Sequence, residues 1–155
     1  MLSLQILLAL SVIFNGTLAG LSIDTALVKL PARKRIGAVA YATFARGNDL
    51  GNGRLVYPVW AIISAVLVFA AAILAFLRHE TTPLLRELAI SSALTIAHFL
   101  ATSRAAQVMM SIKDAPDDER VLSAKLSAFA RWHAVRASFQ LLTLFVLVVA
   151  LLTAR

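Results

Sequence analysis

Residues Phe129 to Gln140, FARWHAVRASFQ, run without a break into LLTLFVLVVALL, which ends at Leu152. About 20 apolar residues cross roughly 30 Å of hydrocarbon as a helix, so this stretch predicts a membrane helix over 131–152 with a charged entrance. His133, Arg136, Gln140 and Thr143 follow one another at helical spacing and share one face. Such a stripe is costly against lipid and is expected to look onto other helices or a wet cavity.

The whole chain fits that reading. Its 155 residues are 60% hydrophobic and 15% charged, and mean hydropathy is +0.83. A soluble domain holds about 45–50% apolar and about 25% charged residues, so a single membrane domain in the lipid bilayer is the simplest account. The net charge of +7 would suggest nucleic acid in a soluble protein. Here it is assigned to membrane topology, and no nucleic-acid partner is expected. The absence of cysteine excludes disulfides and thiolate metal sites.

Three further helices are expected, over 2–28, 57–77 and 84–110. The first lacks the basic residues that open a signal peptide, since none precedes Lys29, so it reads as retained. Gly16 and Gly20 form a small-xxx-small pair, suited to close helix packing or to a homo-oligomer contact. Asn15 and the carboxylate of Asp24 need water or a polar partner. Pro31 is expected to end this helix. The segment Ile36 to Ala45 is too short to span and reads as an interfacial helix between helices one and two. NDLGNG, residues 48–53, then makes a tight turn whose Asp49 and Asn52 are available as helix caps. It lacks the lysine and preceding strand of a phosphate loop. The fold class is therefore all-α, an integral membrane four-helix bundle.

Helix two has Tyr57 and Trp60 at one end as an aromatic belt and is otherwise apolar. The short polar connection RHETTPLLRE makes helices two and three antiparallel neighbours, with His79 solvated in it. Helix three carries a second stripe, Ser91, Thr95, His98 and Thr102. A histidine there is either a neutral cross-helix hydrogen bonder or a functional group. Haem or metal ligation would need His133 or Asp24 as second ligand; no histidine pair has bundle-type metal spacing, so no metal site is assigned and the cofactor stays open. In the connection to helix four, the acidic residues around Pro116 read as helix-capping charge.

Twelve of the fifteen Lys and Arg residues fall in or beside the connections 29–54 and 104–136; only Arg78, Arg86 and Arg155 fall on the other side. The positive-inside rule then places both termini outside the inner or plasma membrane. It also brings Asp24, Arg104, His133 and Arg136 to one end. They are expected to form an ion-pair network or the mouth of a pocket, with His98 as its floor.

SIDTALVKLPARKRIGAVAY (22–41), NDLGNG and ARWHAVR (130–136) together resemble the anthrone-oxygenase-like family of small four-helix membrane proteins. The most specific part is Trp132 and Arg136 with His133 between them. The resemblance implies a membrane protein that oxygenates polycyclic aromatic substrates, the activity named for some members. Two functions follow as expectations. One is an oxidoreductase or oxygenase for a hydrophobic aromatic or quinone-like ligand: His98, His133 and Arg136 are catalytic, and Asp24, Arg104, Asn15, Trp132 and Gln140 bind substrate. The other is a non-enzymatic binding or assembly subunit in which the same residues hold helices together.

Overall fold

The computed structural model describes residues 2–154 and is all-helical. Helix α1 (Leu2–Asp24) passes through a π-helical turn, Thr25–Lys29, into α2 (Leu30–Ile36). After Gly37 come α3 (Ala38–Gly47), a second π-helical turn, Asn48–Asn52, α4 (Gly53–Leu77), α5 (Thr82–Met110) and α6 (Glu119–Thr153). The continuous helical stretches built on α1, α4, α5 and α6 are each long and apolar enough to cross a membrane. α1 packs on α4 and α6, and α5 packs on the same two, with the α5–α6 interface the most extensive.

Pro31 does not end the first helix. It sits inside a continuous helical stretch, two residues past the π-helical turn, and its missing N–H removes one rung of the ladder there. The π turn just before it shifts the ladder to i→i+5, as in Leu30 N–H to the Thr25 carbonyl, and absorbs the ring that would otherwise press on the preceding turn. The stop is Gly37, six residues later, at φ 85° and ψ 160°. Only glycine adopts that region readily. Helix α6 likewise starts at Glu119, twelve residues before the expected 131. Leu122, Leu126, Phe129 and His133 form one buried stripe that runs from the connection into the apolar half.

Two apolar clusters close the bundle at opposite ends. Leu4 and Leu8 of α1, Val68, Ala71 and Ala75 of α4, Leu84 and Leu88 of α5, and Leu147 and Ala150 of α6 make one. Leu30, residues of α3 such as Tyr41 and Ala45, Ala105 and Met109 of α5, and Leu122, Leu126 and Phe129 of α6 make the other. The short helix expected over 36–45 is α3, whose buried face packs on α6 and shares the second cluster with Ala105 and Met109 of α5. Glu119 seals its start, accepting from Ala38 N–H at 2.7 Å and Val39 N–H at 3.2 Å. Its far end is pinned by Arg46, which pairs with Asp117 at 2.7 Å and donates to the Ile112 and Ala115 carbonyls. The acidic connection is thus capping charge in part for its own helix, through Asp118 to Val121 N–H, and in part for α3. His79 is exposed at φ 52°, ending α4 with bonds from His79 N–H to the Phe76 carbonyl and from Glu80 N–H to the Ala75 carbonyl.

Candidate functional site

Between the two apolar clusters lies a polar layer, built by the stripes that the sequence places on α5 and α6. Ser91, Thr95 and His98 are buried on α5, and His133, Gln140 and Thr143 on α6. The stripes face one another: His98 Nδ1 lies 3.0 Å from the Arg136 carbonyl. A carbonyl can only accept, so Nδ1 carries a proton; Nε2, which holds the lone pair in the neutral ring, lies 3.3 Å from the Thr102 hydroxyl. On His133 the pattern is reversed. Nε2 donates to the Ser22 carbonyl at 3.0 Å, and Nδ1 accepts from Arg136 Nε at 3.0 Å. His133 is thereby neutral, a neutral His98 would hold the opposite tautomer, and Arg136 joins the two rings through its backbone on one side and its side chain on the other.

The terminal nitrogens of Arg136 have no acceptor among the described residues. They look into a cavity of about 400 Å³ bounded by α1, the Asn48–Asn52 turn, α4, α5 and α6. Leu18, Leu50, Ile62, Phe99 and Phe129 give it an apolar wall. Its polar groups are Ser22, Thr25, Asp49, Arg54, Tyr57, His98, Thr102 and Arg136. Asp49 lines the same space yet forms no ion pair within 4.0 Å with Arg136; its described partner is the Asn48 amide at 3.1 Å. A guanidinium and a carboxylate thus stand unpaired on one apolar wall.

Of the eight residues assigned from the sequence to catalysis or substrate binding, His98 and Arg136 line this cavity and the others do not. His133, fully buried, reaches only a smaller recess of about 200 Å³ on its other side, beside Arg33 and Lys34. Asp24 does not join the arginines. It pairs with Lys29 at 2.9 Å, five residues on, a spacing that the π turn brings into line. Arg104 is exposed, two residues past the cavity-lining Thr102 and so on the outer side of α5, and Trp132 is 39% exposed on the outside of α6. Asn15 and Gln140 consume each other, Gln140 Nε2 donating to Asn15 Oδ1 at 2.7 Å, while Asn15 Nδ2 donates to the Ser11 carbonyl at 2.9 Å. The expected cluster of Asp24, Arg104 and Arg136 is therefore replaced by Arg136 with Asp49 and Tyr57.

Tyr57, expected in an outer aromatic belt, is on the cavity wall, and Trp60 packs on Phe14 with ring centroids 4.9 Å apart. Pro58 leaves the Arg54 carbonyl without its helical donor beside the same space. Gly16 and Gly20 are not a close-packed seam within the chain: a Cβ on Gly16 would meet Leu144 at 3.8 Å, and one on Gly20 nothing within 4 Å. Among the described residues no three His, Asp or Glu side chains converge to hold a metal ion. Comparison with family models, curated proteins and solved structures finds no match.

Proposed function

We propose that this chain is an integral membrane four-helix bundle that binds a hydrophobic aromatic or quinone-like molecule in the cavity, with Arg136 holding an oxygen of the ligand. The single observation behind this reading is the Arg136 guanidinium, turned into a largely apolar space with its terminal nitrogens unpartnered. In a largely apolar space a charged donor gains most from an acceptor, and a ligand oxygen would supply one. The mostly apolar lining with convergent polar groups suits such a molecule. Two of the segments behind the family resemblance, NDLGNG and ARWHAVR, supply Asp49, Leu50, Gly53 and Arg136 to this wall. The α3 side, rich in Lys and Arg, is the cytoplasmic end by the positive-inside rule, with α3 at the interface.

In the enzymatic form of this reading, His98 is the base. Its Nε2 lone pair takes a proton from an acidic group of the ligand, Nδ1–H holds the ring against the Arg136 carbonyl, and the electron pair left behind settles on the oxygen beside the guanidinium. His133 stands behind Arg136 and positions it. The saturated ties Asn15–Gln140 and His133–Ser22 favour a second reading, in which the polar layer only joins α1 to α6 and the protein is a binding or assembly subunit.

The test is thermal unfolding in mild detergent with alizarin, a planar ligand with carbonyl and hydroxyl oxygens, against anthracene, its hydrocarbon frame. Alizarin should raise the melting temperature of wild type and anthracene should not, and Arg136→Met should abolish the difference. Equal shifts from both compounds, or an unchanged shift in Arg136→Met, would reject Arg136 as the ligand-holding group.

A further inference from the structure

We infer that the ligand enters this cavity sideways, from the hydrocarbon of the bilayer, through the seam between α4 and α5. The inference rests on the membrane and ligand-binding readings above. The α4–α5 hairpin is zipped at its turn, where Val68, Ala71 and Ala75 meet Leu84 and Leu88. Toward its other end the two helices are separated by the cavity, which Pro58, Ala61 and Ile62 line from α4 and Phe99, Thr102 and Ala106 from α5.

The other sides are lined by packed helices and by the turn below, with Leu21 of α1 also outward-facing at 38% exposed. Behind stand α1 and α6, through Leu18, Ser22 and Arg136. Below, the Asn48–Asn52 turn and the apolar cluster under α3 fill the end, with Met109 and Phe129 belonging to both cluster and cavity wall. Most of the exposed lining residues fall on the seam, and its lips are apolar apart from Arg54 at one end: Ile62 is 54% exposed, Phe99 36% and Met110 41%. A mouth meant for water would carry polar lips. These lips match acyl chains, and the small Ala61 and Ala106 leave room between them for a flat ring. Arg54, exposed at the end of the seam near the chain's basic side, offers the first contact for an oxygen-bearing head before Arg136 receives it.

The native chain has no cysteine, so single cysteines can be placed and spin-labelled without background. Labels at Ala106, on the cavity wall, at Leu100, 66% exposed on the apolar outside, and at Lys113, in the exposed connection, are compared in lipid nanodiscs. Collision rates are measured with molecular oxygen, which concentrates in hydrocarbon, and with a neutral nickel chelate, which stays in water. The label at Ala106 should behave like that at Leu100: readily reached by oxygen, and several-fold less accessible to the chelate than the label at Lys113. Chelate access equal to that at Lys113, or poor access to both reagents, would overturn the lateral route. Alizarin should lower the oxygen collision rate at Ala106 and leave Leu100 unchanged. A lipid-like signature at Ala106 that alizarin does not alter supports the seam and defeats the ligand reading. Alizarin protection together with full chelate access does the reverse.

Discussion

Arg136 Nε donates to His133 Nδ1 across 3.0 Å, from one helical turn further along α6. Because His133 Nε2 is held by the Ser22 carbonyl of α1, the imidazole cannot turn, and the guanidinium inherits its direction from a neighbouring helix. His133→Ala should therefore weaken alizarin binding although His133 does not touch the cavity. It should also destabilise the protein by about 1–3 kcal/mol, the cost of a buried donor left without its acceptor. His133→Asn puts an amide oxygen near the Nδ1 position and should recover affinity more than melting temperature. Affinity unchanged in His133→Ala would remove the positioning role.

His98 separates enzyme from binder. In His98→Asn the side-chain amide can still donate to the Arg136 carbonyl, but the Nε2 lone pair is gone. If the protein is an oxygenase, dioxygen uptake with anthrone should fall to the uncatalysed rate while alizarin still stabilises the variant. Retained uptake would exclude His98 as the base. No uptake in wild type, with alizarin binding intact, would favour the binding subunit.

The Asn15–Gln140 pair, both residues 3% exposed, is a tie between α1 and α6 and should couple in a double-mutant cycle. With Asn15→Leu and Gln140→Leu, the coupling energy read from unfolding in detergent should be about 0.6–1.7 kcal/mol, the range for such bonds between membrane helices. Alizarin affinity should stay within error of wild type in all three variants. A large loss of affinity would return these residues to the ligand site.

Gly37 and Glu119 form a joint between α3 and α6. Gly37→Ala forces a Cβ onto φ 85°, ψ 160° and brings it 3.5 Å from the Glu119 carboxylate, so it should cost about 1–3 kcal/mol. Glu119→Gln keeps the shape but leaves one accepting oxygen where Ala38 and Val39 use two, its amide nitrogen being a donor only, and should cost about 1–3 kcal/mol. Because the glycine strain exists whichever residue stands at 119, the double variant should lose nearly the sum. A double variant no worse than Gly37→Ala alone would mean that the alanine already breaks the cap.

The four long helices and the two polar stripes were legible because hydropathy and helical spacing are local. Ser91, Thr95 and His98 on α5, and His133, Gln140 and Thr143 on α6, are buried where periodicity places them. The partners were not legible. Asp24 and Arg136 looked like a pair because both belong to one end of the bundle, but the π turn supplies Lys29 to the acid first. Asp49 and Tyr57 reach the cavity together because the NDLGNG segment, kinked at Gly51, runs on into α4, a bend signalled in the sequence only by its glycines. Arg104 and Trp132 lie on the outer sides of helices whose inner sides were read correctly.

Gly53 begins α4 at the cavity wall, and a Cβ there would lie 2.8 Å from Tyr57 Cε2 and 3.0 Å from the Asn48 carbonyl oxygen. Replacing a helical glycine by alanine gains up to about 1 kcal/mol of helix propensity. Overpacking costs about 1–3 kcal/mol, so Gly53→Ala should lower the melting temperature on balance. The Tyr57 ring is the far end of a rotatable side chain and can move; the Asn48 carbonyl moves only with the turn that carries Asp49. Adding Tyr57→Ala to Gly53→Ala should thus relieve the ring clash and leave the carbonyl contact in place. Taken against Tyr57→Ala alone, the glycine substitution should still reduce stability and alizarin affinity. If it is instead neutral or stabilising in that background, the ring was the whole obstacle, and the glycine serves Tyr57 alone and not the course of the turn.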